Sequence, residues 1–348
     1  MNDPVRFGIL SFAHNHANSW AQAIVDSPKA SLSGIWDGDH QRGQEAAKRF
    51  ETQFWPDLDG LLGASDAAGI TSETVNHATL VEAGAAAGVH ILCEKPMATS
   101  LADADRIERA VRNSGVMFMQ NFPKRFDPIN HELVTLAQSG QLGDIGLVRI
   151  RHGHHHGLDP EFTAQWYADP ALSGGGTLID EGVHAADFLR WLFGDPRSIQ
   201  ATISSALLKL EVEDSAAAVF TFAEGAIAEI ATSWSFVAAE QSIEIYGTEG
   251  TAILSGVDLA SRDHAHPPYL RVFRTGSPEP GWHGSSTIPG FVSGGFHQQG
   301  PLRFIECVRN RDCDEVGLEA GRGSLEMILA AYRAARTGAT QMINRNSA

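Results

Sequence analysis

The chain has 348 residues, 43% of them hydrophobic, and a formal net charge of -16. That length suits about two domains with a sizeable core, and the acidic balance disfavours a phosphate-backbone partner, so no nucleic acid is expected. No apolar run approaches the ~20 residues that span a bilayer, and the three cysteines, Cys93, Cys307 and Cys313, have neither metal spacing nor the even count of a disulfide framework, so neither a membrane nor an oxidising compartment is expected and the cytoplasm is the natural location.

The opening stretch, MNDPVRFGIL, lacks a basic region and a long apolar core and reads as a first strand, not a secretory signal. Residues 5–10 form that strand. A loop, SFAHNHANS, a helical run, WAQAIVDS, and a second strand, ASLSGIWD, follow. A strand, a loop, a helix and a strand ending in an acid make the plan of a dinucleotide-binding unit. Asp37 is that acid, at the spacing of a carboxylate that bonds ribose hydroxyls. Aligned to GxGxxG, the glycine positions are Ser11, Ala13 and His16. Small residues at 11 and 13 admit a pyrophosphate near backbone N–H groups. His16 either loosens strand–helix packing or reaches toward phosphate, and His14 and His16 suit a solvated loop equally well.

The alternation continues. Helical pieces are expected at 41–50, 57–62, 77–88 and 102–115, and strands at 66–73, 89–96 and 116–122. Such alternation predicts a parallel, doubly wound α/β sheet over residues 1–122. Ligands then sit beyond the carboxyl ends of the strands. The residues expected to bind a cofactor there are Ser11, Phe12, Ala13, His14, His16, Asp37, Thr71, Ser72, Glu73, His77, Glu94, Lys95 and Asn121.

A second domain is expected over residues 123–348. INHELVTLAQ (129–138) is a helix and GLVRIRHG (146–153) a strand. Alternation places His152, His154 and His156 on one face. They suit hydrogen bonds to sugar hydroxyls, a solvated loop, or a zinc or iron site. No cysteine or second carboxylate set accompanies them in sequence, so no metal is expected. Trp166 and Tyr167 offer an aromatic face for a pyranose or cyclitol, or simply core. Trp234 and His297 are weaker candidates of the same kind.

The stretch 174–194, GGGTLIDEGVHAADFLRWLFG, organises this domain. Three glycines allow a sharp bend or a close backbone approach. A helical pattern follows, with Asp180, His184 and Asp187 on one stripe and Gly194 as a stop. A carboxylate one turn before an imidazole can fix its tautomer and raise its basicity, as a general acid/base requires. An N-cap Asp before a packed His fits the same spacing. Strands are then expected at 197–208, 215–222, 226–236, 241–247, 251–256 and 269–274, mostly antiparallel. Residues 257–300 read as irregular, 301–310 and 318–338 as helices, and the last residues as a frayed tail.

Glu94-Lys95-Pro96 at a strand end, followed by GGGTLIDEGVH, resembles the glucose–fructose oxidoreductase, inositol dehydrogenase and rhizopine-catabolism (Gfo/Idh/MocA) family. NHATLVEAGAAAGVHILCEKPMATSLADADRI, NFPKRFDP and EIYGTEGTAIL extend the resemblance over nearly the whole chain. It implies a Rossmann domain binding NAD, with NADP possible, and an α+β domain with a large open, mostly antiparallel sheet. That sheet's free face often makes a dimer or tetramer in the family, so a homodimer or homotetramer is expected. The resemblance further implies a cis bond before Pro96 and a catalytic set of Lys95, Asp180 and His184. A carbohydrate-like substrate would then meet His154, His156, Trp166, Asp180 and His184. The implied activity is hydride transfer between nicotinamide and a secondary hydroxyl of a sugar, polyol or cyclitol. Two alternatives share the fold: a redox-neutral hydrolase or isomerase using tightly held NAD, and a non-enzymatic nucleotide-sensing regulator.

Overall fold

The computed structural model describes residues 3–237, 241–255, 266–279, 281–313 and 316–343. The expected tail at 344–348, and residues 256–265 at the start of the expected irregular stretch, lie outside the described residues. The chain divides into two units. The first is Met1–Pro123 with Ala171–Gly174 and His297–Arg322; the second is Lys124–Pro170 with Gly175–Phe296 and Gly323–Ala348.

The first unit holds five parallel strands: β1 (Val5–Leu10), β2 (Ala30–Trp36), β3 (Ala67–Ile70), β4 (His90–Glu94) and β5 (Phe118–Asn121). Their order is β2-β1-β3-β4-β5, so the winding reverses at β1. In β1, Val5, Phe7, Ile9 and Leu10 are all buried, the pattern of a strand covered on both faces. Helix His16–Asp26 starts earlier than its apolar residues suggest, because the loop tightens straight into it. Its Trp20 lies on β3 at Gly69, where a Cβ would come within 3.0 Å of the indole. Asp39 caps helix His40–Arg49, and Ser100 caps Leu101–Ser114, by accepting backbone N–H groups of the first turn.

Among the described residues the second unit holds nine strands: β6 (Ile145–His152), β7 (Ser198–Ser204), β8 (Ser215–Thr221), β9 (Ile227–Ser233), β10 (Gln241–Gly247), β11 (Gly250–Ser255), β12 (Leu270–Arg274), β13 (Trp282–Gly284) and β14 (Gln341–Met342). The order is β13-β12-β11-β10-β6-β9-β8-β7-β14. Only β6 and β9 pair in parallel among these neighbours. Strand β8 shows the period of two: Ala216, Ala218 and Phe220 are buried and Val219 is exposed. Helix Gly182–Phe193 packs against β6, β9 and helix Pro128–Gln138. Its Asp187 is buried and takes two bonds from Arg125, 2.7 and 2.9 Å long, so this member of the expected polar stripe is a buried ion pair. Strands β13 and β14 are too short to carry an apolar alternation and were not expected.

One expected helix is two. Thr177–Asp180 and Gly182–Phe193 are separated by a turn at Glu181, and His184 N donates to Glu181 O, three residues back. On a regular helix successive side chains diverge by about 100°. The break lets Asp180 and Glu181 approach one histidine together.

The helix Gln299–Asn310 belongs to the first unit, although the sequence reading put it in the second domain. Its Phe304 is fully buried and meets Phe7 of β1 edge-on, centroids 6.2 Å apart. Phe304→Ala is therefore expected to destabilise the first unit by about 3–5 kcal/mol. Urea melts followed by a probe in that unit check this, and a loss under about 1 kcal/mol would show that the helix is peripheral.

Candidate functional site

In the first unit, the loop after β1 is built without the usual glycines. Ser11 takes φ 79°, the left-handed region that favours glycine. Its hydroxyl accepts from Ala13 N at 3.1 Å, and its carbonyl accepts from Thr71 Oγ1 at 2.6 Å. His14 N donates to Thr71 O. Asp37, fully buried at the end of β2, accepts from Phe12 N at 2.7 Å and Asp39 N at 2.9 Å. Arg42 clamps the same carboxylate through Nε (2.8 Å) and Nη2 (2.7 Å) and also reaches Glu73 at 3.2 Å. Asp37 thus fixes the loop that it was expected to serve.

The ends of β3, β4 and β5 meet beside this loop. His77 is buried, with Nδ1 3.0 Å from Pro96 O and Nε2 3.3 Å from Ser72 O. It braces two strand-end loops from within. Lys95 is buried and the Lys95–Pro96 bond is cis, as expected. Glu94 is fully buried; its Oε2 accepts from Asn121 Nδ2 at 2.9 Å, and His16 Nδ1 stands 3.2 Å from its Oε1. Burial opposes ionisation of Glu94 most strongly. The charges of His16 and His14, the contact with His16 and the charge of Lys95 outweigh it, and the carboxyl is held below the usual range.

In the second unit the glycine stretch serves close packing. A Cβ on Gly175 would stand 2.2 Å from Tyr332 Oη, and one on Gly176 would stand 2.0 Å from Glu213 O. Glu213 accepts from Gly176 N (3.0 Å), Leu178 N (2.8 Å) and Tyr332 Oη (2.7 Å). Burial raises its carboxyl, and these donors pull it down in part. Asp180, just beyond, accepts from the indole of the fully buried Trp234 at 3.0 Å. His154 Nε2 lies 3.7 Å from both Asp180 Oδ2 and Glu181 Oε1. His152 Nδ1 lies 3.0 Å from Glu181 Oε2, and its ring stacks on His184, centroids 5.1 Å apart. His184 is buried.

The remaining substrate candidates sit outside that group. The ring of His156 lies near His154 and Phe162. Trp166 stacks on Tyr167 and packs on the cluster of Tyr167, Val212 and Trp234. Glu181 and Glu213 were missed by sequence reasoning. A second acid beside Asp180 was the available signal for Glu181. Glu213 left none, because its partners are 35 and 37 residues away.

Among the described residues, two groups place ligand-type atoms within 4.8 Å of one another: His14, His16 and Glu94, and His154, Asp180 and Glu181. The carboxylate set that the sequence reading found lacking near the histidines is therefore supplied by the fold. Yet His14 Nδ1 accepts from His16 N, and His154 Nδ1 accepts from His156 N, each at 3.2 Å. A neutral imidazole accepting on Nδ1 carries its proton on Nε2. For His154 that is the atom that lies 3.7 Å from each of the two carboxylates.

Residues 7–122 match the family model described as the oxidoreductase family with an NAD-binding Rossmann fold, and residues 131–253 match the GFO/IDH/MocA C-terminal domain. The chain is 30% identical over 253 residues to 1,5-anhydro-D-fructose reductase of Ensifer adhaerens, covering 71% of this chain and 75% of that protein. It is 26% identical over 341 residues to D-apiose dehydrogenase of Paraburkholderia graminis, covering 94% and 86%. The crystal structure of aldose-aldose oxidoreductase from Caulobacter crescentus, complexed with glycerol, shares the fold with a TM-score of 0.81 at 24% identity, over 98% of this chain and all of that one.

The brace at His77 has a pH signature. Burial pushes its imidazole below 6.5, with the Pro96 and Ser72 carbonyls and Glu94 opposing. The folded state prefers the neutral ring, so the stability it contributes is present above the unfolded pKa and lost as pH falls toward the folded one. The melting temperature is expected to fall between about pH 7 and pH 5, and to fall less in His77→Gln. Equal falls in the two proteins would place the acid lability elsewhere.

Proposed function

The chain belongs to the Gfo/Idh/MocA family of oxidoreductases, and from its site we propose an NAD-dependent dehydrogenase acting on a secondary hydroxyl of a sugar, polyol or cyclitol. The observation that carries this reading is the imidazole–carboxylate group of the second unit, in a chain whose first unit is an NAD-binding Rossmann domain with a buried lysine at the end of β4. An acid/base group has no task in a nucleotide sensor. The relatives named as a 1,5-anhydro-D-fructose reductase and a D-apiose dehydrogenase support the substrate class.

The first unit's loop suits the cofactor. Ser11 already holds the backbone conformation that glycine normally supplies, and the small Ala13 follows it. Ser11 to Asn15 would hold the pyrophosphate at the start of helix His16–Asp26, with Asp37 and Arg42 toward the adenosine. NAD, when bound, supplies the hydride acceptor. The protein handles the proton. His184 accepts it from the substrate hydroxyl as the C–H electron pair leaves as hydride, and the product is a carbonyl. Asp180, fixed by Trp234, and Glu181, fixed by His152, stabilise the charged imidazole. Lys95 donates a hydrogen bond to the reacting oxygen. Residues 1–122 serve the cofactor in this reading, and residues 123–348 serve substrate and assembly. The second sheet's outer face, with Val219 and Ile227 exposed, is the subunit interface of a homodimer or homotetramer.

Cofactor choice follows from charge. Arg42 stands between Asp37 and Glu73, and one guanidinium against two carboxylates leaves a negative balance that repels a 2′-phosphate. NAD is expected to bind at least about tenfold more tightly than NADP. Titration with both nucleotides checks it, and a preference for NADP would overturn the assignment.

Catalysis is tested by three variants. His184→Asn is expected to retain NAD binding and lose about 10²–10⁴-fold in turnover. Lys95→Met and Asp180→Asn should each be severe, and combined losses should fall short of additive, because the groups act together. Steady-state kinetics and melting curves on the same proteins separate chemistry from folding. Near-wild-type turnover in both His184→Asn and Asp180→Asn would remove the acid/base assignment.

A further inference from the structure

We propose that His16, which stands where a dinucleotide loop carries its third glycine, is itself a cofactor-binding residue that works with Glu94 to hold a ribose hydroxyl on the nicotinamide side. This rests on the NAD-dependent reading above and assigns a part of that site to a side chain standing at a glycine position of the fingerprint.

The third glycine ordinarily lets helix and strand pack closely. Here a whole imidazole occupies the position. It lies between the rings of His14 and His297, at 4.2 and 4.1 Å, and its side chain keeps 17% of its surface exposed. Its Nδ1 approaches Glu94 Oε1 to 3.2 Å, and each of these buried atoms has no other hydrogen-bond partner. Buried polar atoms are almost always satisfied, so a donor and an acceptor facing one spot call for a group that complements both.

A hydroxyl does so: it donates one bond to the carboxylate and accepts one from the imidazole N–H. A phosphate oxygen only accepts. It would satisfy His16 but confront Glu94, whose carboxyl is held ionised. The sheet order says which hydroxyl. Asp37 closes β2 and Glu94 follows β3 in β4, so they lie on opposite sides of the β1 reversal. A dinucleotide straddles that reversal with its adenosine ribose at the β2 acid. Glu94 and His16 therefore serve the other half.

The test sets NAD against ADP, which carries the adenosine half and two phosphates but no nicotinamide ribose. Affinities are measured calorimetrically for the wild type, His16→Gly, His16→Asn and His16→Leu. His16→Gly restores the missing glycine and on fingerprint logic should bind NAD better. The proposal expects the reverse: about tenfold weaker NAD binding with ADP unchanged, the loss of one well-made hydrogen bond to a charged pair. His16→Asn keeps an N–H donor and should retain most of the affinity, whereas His16→Leu should not. Unchanged or tighter NAD binding by His16→Gly would overturn the proposal, as would equal losses for NAD and ADP. If His16→Gly does not fold, equal NAD affinities in the Asn and Leu variants overturn it. A wild-type protein that binds neither NAD nor NADP would instead refute the cofactor reading, a result distinct from any of these.

Discussion

Carboxylates taken out of water set the terms for this structure. Asp37, Glu94, Asp187 and Glu213 are each no more than 6% exposed. An ionised carboxyl in that position is very costly unless charge or hydrogen bonds answer it. Asp37 is answered by Arg42 and two backbone N–H groups, Asp187 by Arg125, and Glu213 by Tyr332 and two backbone N–H groups. For Asp37 and Glu213 the backbone donors Phe12 N, Asp39 N and Gly176 N belong to loops or turns that would otherwise be free to move. The burial of charge therefore shapes the loops, and the loops carry the functional side chains.

That dependence explains what could be read in advance. Strands and helices obey local periodicity, so the five parallel strands, the mostly antiparallel second sheet and their approximate limits were legible. The strand-end placement of Glu94, Lys95 and Asn121 followed from the same pattern. Partnerships were not legible. Trp234 reaches Asp180 across 54 residues, and Arg125 reaches Asp187 across 62. No window on the sequence contains either pair. The break at Glu181 belongs here too: locally the residue fits a continuous helix, and only His152 on β6 shows why it turns away.

Each unit also contains the same small device. In His14-Asn15-His16 and in His154-His155-His156, the backbone N–H of the second imidazole residue bonds Nδ1 of the first at 3.2 Å. The motif is local and fixes which nitrogen carries the proton. What differs is the carboxylate opposite. In the first unit Glu94 faces the second histidine of its motif; in the second, Asp180 and Glu181 face the first. One local rule thus yields two different charge arrangements, decided by the strand or turn that brings up the acid.

The loop after β1 shows why a fingerprint is better read as a set of backbone requirements than as letters. A non-glycine residue in the left-handed region costs on the order of 1–2 kcal/mol. Ser11 sits there, and the hydrogen bonds of its hydroxyl and carbonyl to Asp37, Ala13 and Thr71 oppose that cost. Glycine would reach the same φ more cheaply but could make no side-chain bond to Asp37. The chain has therefore kept the turn and changed how the turn is held. The third position differs in kind, since glycine there serves packing and not φ. His16 begins its helix in an ordinary conformation, so nothing in the backbone demands a histidine, and its selection has to be explained by what its ring faces.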